Sequence, residues 1–313
     1  MRNNRRGSRL RSETSFGVQA RTRPRSLITN AMTIDVEDWY HPELVRDHLG
    51  SGVPEERLSE VIPSILDLLN RYHVKATFFV LGEVASRFPA LIRQIEQEGH
   101  EIGCHGMSHR MLGDLGEEGF KKEMEDFRNL TKEILGNVNI RGFRAPTFSL
   151  NPDTKWALPI LRDFGYRYDS SIFPEKLFWN PLYGIDNAPR YPYRISFEDL
   201  CKEDPKSPLW EFPAAIARVG RIDLPVSGGF YLRTIPAFIF RWALDRMNRT
   251  GPFYIYLHPW ECDENTPRIP LPFLSRGVTY YGIRKVLSHL EGLLKTFSFS
   301  RMDDVLDRMG AFE

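Results

Sequence analysis

From residue 27 onward, short apolar runs alternate with longer amphipathic stretches. Parallel strands joined by crossover helices produce this alternation, because a strand covered on its faces reads as almost continuously apolar. Runs at 29–35, 75–81, 100–104, 140–144, 166–169, 209–213 and 253–258 fit strands, about seven in all. Between them, residues 58–72 set Leu58, Val61, Ile62, Ile65, Leu66, Leu69 and Tyr72 on one helical face, with Pro63 tolerable only in the first turn. Residues 83–98 repeat the pattern with Val84, Phe88, Leu91, Ile92 and Ile95 and stop at Gly99, a natural residue for the left-handed turn after a helix. A helix over 117–135 turns Phe120, Met124, Phe127, Leu130, Ile134 and Leu135 inward, and further helices are expected at 152–164, 234–248 and 280–296. The pattern predicts one barrel-like α/β domain over 27–313.

Two stretches break the rhythm. Residues 174–208 carry six prolines and many aromatics without a period, and 261–279 are similarly irregular. Long irregular excursions in a compact domain serve as lids or substrate walls, although a decorative insertion has the same composition. Residues 1–26 hold eight arginines against one acid, Glu13, and are expected to be disordered. Such a tail can touch anionic lipid or nucleic acid or act as a transit peptide; a solvated extension is the plainer reading.

Composition narrows the classes. A formal net charge of +1 over 313 residues excludes a chain that binds nucleic acid through a sustained basic excess. No apolar run of about 18 residues marks a membrane span, and no apolar segment follows the arginines as in a signal peptide. The expectation is a cytoplasmic protein, at most peripheral to the inner membrane. Cys104, Cys201 and Cys262 are odd in number and widely spaced, so they read as reduced thiols rather than a disulfide framework.

In sheets of parallel strands, reactive groups collect at the carboxyl ends. Here those ends read Asp35-Val36-Glu37-Asp38, His105 to His109, Arg144-Ala145-Pro146, Asp169 and His258-Pro259-Trp260-Glu261. Two imidazoles four residues apart can share a metal, but an isolated His-x-x-x-His is also met as a surface accident. The first strand supplies carboxylates: alternation puts Asp35 and Glu37 on one face, and crowding them there is costly unless a cation shares the site. Two histidines and one carboxylate leave positions open on a metal, whose bound water is acidified to about pKa 7. The other carboxylate then suits a general base and His258 a general acid. Arg144 fits as partner of the base and Asp169 as partner of His258, though each could equally sit in a structural ion pair.

Taken together, these residues resemble the polysaccharide deacetylases, the NodB-homology group of carbohydrate esterase family four. The motifs are TIDVEDW at 33–39, HGMSH at 105–109, RGFRAP at 141–146, YDSS at 168–171 and LHPWE at 257–261, in the family's order. DVEDW, FRAPTFSL, PVSGGFYLR and HPWECDENTPR look closest to the subgroup tied to exopolysaccharide loci of exosortase-bearing bacteria. The resemblance implies a distorted (β/α) barrel of about seven parallel strands and removal of acetyl from N-acetylhexosamine units of a polysaccharide or lipid-linked precursor. It further implies one divalent metal, zinc first, with cobalt, nickel or iron as alternatives.

Carried over by motif, Asp35 is the base, His105 and His109 are metal ligands, Arg144 is the partner of the base, Asp169 the partner of the acid, and His258 the acid. Pro146, Trp260 and Tyr231 are candidate substrate contacts. The family usually has two adjacent aspartates; Val36 stands in the second place here, which makes Glu37 the third ligand and leaves Asp38 as a rival. The alternatives are an allantoinase-like or cyclic-imide hydrolase on the same fold, or an inactive carbohydrate-binding barrel.

Overall fold

The computed structural model describes residues 28–52, 54–176 and 184–312; the Arg-rich stretch 1–26 and residues 177–183 of the first irregular excursion lie outside the described residues. The strands are β1 Thr29–Val36, β2 Thr77–Val80, β3 Glu101–Cys104, β4 Gly142–Phe143, β5 Tyr168–Asp169, β6 Tyr193–Arg194, β7 Trp210–Glu211, β8 Ile216–Val219, β9 Ile222–Pro225, β10 Tyr254–Leu257 and β11 Ser298–Ser300. They pair in the order β10-β1-β2-β3-β4-β5-β7-β6, with β11 beside the start of β1 and β8-β9 as a separate hairpin. Every pair in the large sheet is parallel except β6 with β7. Each expected strand is present; β1 runs one residue longer than expected and the others are shorter. The unforeseen β6, β8, β9 and β11 span two to four residues, too few for a pattern to declare itself.

Single backbone bonds carry the sheet onward from β5 to β10. Ala214 N donates to Ile172 O, Val226 N to Ala215 O, and Tyr256 N to Ser227 O, each at 2.9 Å. The sheet thus curls into a distorted (β/α) barrel. Its interior holds Phe79, Tyr168, Tyr254 and the fully buried Arg144, whose guanidinium lies 4.2 Å from the centre of the Phe79 ring and 4.7 Å from that of Tyr254. Gly142 lets Tyr168 cross beneath β4; a Cβ there would lie 2.1 Å from the ring.

The helices follow the apolar periodicity, with breaks set by proline and glycine. Leu58–Arg71 forms as expected, but Pro63 sits in its second turn rather than its first. The 83–98 helix divides into Gly82–Arg87 and Pro89–Gln97, because Phe88 before the proline leaves helical geometry (φ −126°, ψ 52°). Leu112–Leu135 begins earlier than 117 and bends at Gly116 (φ 62°). The three remaining expected helices appear as Ala157–Asp163, Ala237–Asn248 and Val286–Leu294. Within 261–279, expected to be irregular, Phe273–Tyr280 is helical. Glu43–Arg46, Gly229–Thr234 and Met302–Asp307 are short helices that no pattern announced.

The amino end of the barrel is plugged by a polar cluster. Glu101, at the start of β3, accepts hydrogen bonds from Thr77 Oγ1 (2.5 Å), Tyr168 Oη (2.8 Å) and the Asp303 backbone N–H (3.2 Å). Met302 N–H donates in turn to Thr77 Oγ1 at 2.7 Å, docking the final helix across the strand ends. Burial, reinforced by the nearby Asp303 carboxylate, pushes the Glu101 carboxyl up to about 8.

Candidate active site

At the carboxyl end the first strand delivers two acids to one space. Val36 is fully buried while Asp35 and Glu37 both approach His258, whose Nε2 lies 4.0 Å from Asp35 Oδ2 and 3.4 Å from Glu37 Oε1. The chain then turns sharply, Glu37 N–H donating to Asp35 O at 2.9 Å. Asp38 points elsewhere: its oxygens accept the backbone N–H groups of Trp39 (2.9 Å) and Arg57 (2.8 Å), so it fastens the entry to the Leu58–Arg71 helix. Glu37, His105 and His109 form a buried group whose ligand-capable atoms all lie within 4.8 Å of one another.

The two histidines are oriented from behind. His105 Nδ1 lies 2.8 Å from Arg144 O, and a carbonyl only accepts, so the ring's proton sits on Nδ1 and Nε2 is left as a ligand atom. His109 points Nε2 at Glu37 Oε2 (2.6 Å) and Nδ1 toward Glu43 Oε1 (3.6 Å). The 2.6 Å approach lacks hydrogen-bond geometry, leaving Glu37 Oε2 buried without an aligned donor, as a carboxylate oxygen suited to a cation would be. His109 also holds a left-handed φ of 54°, uncommon outside glycine, and Arg46 Nη1 secures its carbonyl at 3.2 Å. The HGMSH loop is clamped by Glu123, which accepts from Met107 N–H at 2.8 Å and from the Ser108 hydroxyl.

Electrostatics divide the imidazoles. Burial would raise the Glu37 carboxyl, but the charges of His109 and His258 outweigh it and hold it well below the usual carboxylate range. Against the same burial, Glu37 and Glu43 push His109 up to about 10, and Glu37 and Glu261 push His258 up to about 9. His105, where burial dominates over the pull of Asp35, falls to about 4.

Arg144 lies against Asp35. Its Nη1 reaches Asp35 Oδ1 at 2.5 Å and Thr33 Oγ1 at 3.0 Å, while Nε and Nη2 bond the carbonyl (3.2 Å) and hydroxyl (3.0 Å) of Ser170. Asp169 pairs elsewhere. Its Oδ1 accepts from Ser171 Oγ at 2.5 Å, and its other partner is Glu211, with burial raising both acids. The partner of His258 is Glu261, whose Oε2 lies 2.9 Å from Nδ1 and whose Oε1 is held by Arg233 Nη2 at 3.0 Å. Asp169 points along its own short strand into the seam with β7, where Glu211 stands directly opposite it in register.

This arrangement explains PVSGGFYLR. A Cβ on Gly229 would lie 2.1 Å from Glu261 Oε2, so glycine makes room for the carboxylate, and Arg233 of the same motif neutralises it. Sequence reading passed over Glu43, Glu123, Arg233 and the role of Glu261; for Glu261 and Arg233 the signal was present, in HPWE and the double glycine. Of the candidate substrate contacts, Trp260 stacks on His258 (5.3 Å, 14°) and directs its indole N–H at Glu37 Oε1 (3.4 Å). Tyr231 stacks on Phe173 at 6.4 Å, and Pro146 lies against Gly106 of the histidine loop. Thr147, next to Pro146, takes a left-handed φ of 57°.

Comparison with known proteins bears on the family. Residues 50–168 match the polysaccharide deacetylase family model, and residues 170–307 match a domain of unknown function, DUF3473. Over residues 50–168 the chain is thus similar to the polysaccharide deacetylases. It is 39% identical over 105 residues to a peptidoglycan-N-acetylglucosamine deacetylase of Bacillus cereus, covering 31% of this chain and 36% of that protein. It is 33% identical over 86 residues to a chitooligosaccharide deacetylase of Azorhizobium caulinodans, covering 28% of this chain and 41% of that one. The match thus spans well under half the length of these curated relatives. Among solved structures, a Mycobacterium smegmatis candidate polysaccharide deacetylase aligns over 92% of this chain and 93% of that one (TM-score 0.54, 22% identity). Puue allantoinase aligns over 92% of both chains (TM-score 0.59, 15% identity). These two likenesses establish the shared fold.

Proposed function

We propose that this protein is a metal-dependent N-deacetylase that removes acetyl from N-acetylhexosamine units of a polysaccharide or its lipid-linked precursor. The observation that carries the reading is the Glu37, His105 and His109 group set beside the buried Asp35–Arg144 pair. Two imidazoles and a carboxylate suit a divalent ion, zinc first, with cobalt, nickel or iron as alternatives. Such an ion supplies Lewis-acid polarisation of a carbonyl and acidifies water.

The chain's own groups do the rest. Asp35, held in place by Arg144, takes the proton of the attacking water. A backbone N–H near Thr147 steadies the oxyanion of the tetrahedral intermediate. His258 donates from Nε2 to the amine nitrogen as the C–N bond breaks, while Glu261 fixes the ring through Nδ1. The products are acetate and a free amino sugar. Pro146, Tyr231 and Trp260 serve as substrate contacts in this reading, and Asp169 is left out of the reaction.

The test is acetate release from N-acetylglucosamine oligomers by the zinc-loaded chain beside His105→Ala. Loss of both metal and activity is expected; a variant that keeps both would sink the assignment. Ring opening of allantoin or a cyclic imide, with no acetate released, would move the chain to the other C–N hydrolases of this fold.

A further inference from the structure

Beside the mouth of the site stands an ordered apolar surface that none of the described residues covers. Phe273 and Leu274 are 79% and 77% exposed, and Tyr281 and Leu44 are 58% and 45% exposed. These are not residues of a loose loop. Tyr280 and Thr279 are buried, Tyr280 Oη accepts from Ile269 N–H at 3.1 Å, and Arg233 donates to the carbonyls of Val278 (2.7 Å) and Tyr281 (2.8 Å). Ile269 and Leu271 pack onto the cluster of Trp39, Val45 and Trp260. The Phe273–Tyr280 helix leans on Glu43–Arg46, whose Glu43 lies 3.6 Å from His109. The protein therefore holds large apolar side chains rigidly in water at the rim of its site, which needs a partner to explain it.

Charge identifies the partner. Between Glu264 and Glu291 the chain has four cations, Arg268, Arg276, Arg284 and Lys285, and no acid. Arg276 stands 5.9 Å from the Phe273 ring centre, and among the described residues only Arg284 of the four is drawn to an acid, Glu264 at 3.5 Å. A second copy would bring the same cations to this face. So would residues 1–26, with eight arginines and one acid. Apolar tips flanked by arginine and lysine, as along the Phe273–Tyr280 helix and the turn after it, suit an anionic bilayer surface: the tips enter the headgroup boundary and the cations meet the lipid phosphates. Among the described residues no helix is long and apolar enough to cross a membrane, so contact would be with one leaflet.

We propose that this face, built on Leu44, Phe273, Leu274 and Tyr281, docks the protein on the surface of an anionic phospholipid bilayer, with the mouth of the site turned toward the headgroups. The inference does not rest on the hydrolytic reading. A chain that binds vesicles but releases no acetate keeps this proposal and loses that one.

The test is co-sedimentation of the full chain with phosphatidylcholine vesicles with and without phosphatidylglycerol, wild type beside Phe273→Ser/Leu274→Ser. The Arg-rich segment is the same in both proteins, so its own attraction for anionic lipid cancels. Expected are binding that needs phosphatidylglycerol, weakens with salt, and falls at least about tenfold in the double variant at unchanged melting temperature. Equal binding by the variant, or none by the wild type, overturns the proposal. A wild-type dimer that the double substitution converts to a monomer in light scattering also overturns it, in favour of an interface between copies.

Discussion

The two ends of the barrel bury the same kind of acid and treat it in opposite ways. At the amino end, Glu101 is surrounded by hydroxyl groups and a backbone N–H, with a second acid, Asp303, close by, and burial pushes it up to about 8. At the carboxyl end, Glu37 is as deeply buried, but the imidazoles of His109 and His258 reverse the balance and keep it ionised. The difference lies in the second residue, not in the acid: neutral donors stabilise a carboxyl group modestly, whereas cations in a low-dielectric pocket outweigh desolvation. One end favours a neutral acid, and the other keeps a charged carboxylate among imidazoles.

Substitutions can break this contrast, the largest effect coming from the charged end. Arg144→Leu should leave Asp35 buried without its cation, costing about 3–5 kcal/mol of unfolding free energy in denaturant melts and abolishing acetate release. Asp35→Asn should keep the fold and the bound metal, with kcat falling about 10²- to 10⁴-fold if Asp35 is the base. Retention of normal turnover would remove it from that role. Glu261→Gln should cost roughly tenfold in kcat with metal content unchanged, whereas Asp169→Asn should leave kcat near wild type, separating the observed partner of His258 from the expected one.

The smallest effect belongs to the neutral end and depends on pH. The folded-state value of Glu101, about 8, lies above its ordinary 4.5, so the fold favours the protonated acid. Its contribution is fully present below pH about 4.5 and is lost as pH rises through about 8. Glu101→Gln mimics the neutral form, so the wild type should lose melting temperature relative to the variant between those limits. Parallel curves would mean that Glu101 is ionised in the fold.

Much of this was legible in the chain because two periodicities and strand-end chemistry are local signals. Asp35 and Glu37 share a face because strand side chains alternate, and Arg144 meets Asp35 because their strands both face the interior. Pairings across the barrel were not legible. Asp169 and Glu261 both end up near plausible partners, but which one meets His258 depends on the turn after β10, where Glu261 folds back three residues onto the imidazole. Glu43 and Glu123 reach the histidine loop from helices whose sequences give no sign of it. Phe88–Pro89 breaks a helix across which the apolar periodicity continues, whereas at Gly116 the helix bends and goes on from an earlier start than its periodicity shows.

Arg144 also bears on where this chain can be divided. Its side chain bonds β1 and the residue after β5, and lies against rings of β2 and β10, while the boundary between the two matched families falls at residue 169, inside β5. A cut at that boundary would leave the arginine on one fragment and the serine and tyrosine that enclose it on the other. Neither piece is expected to be soluble alone, and mixing them should restore a folded particle only if the guanidinium finds its berth again. The sequence families part at a place where the molecule itself has no seam.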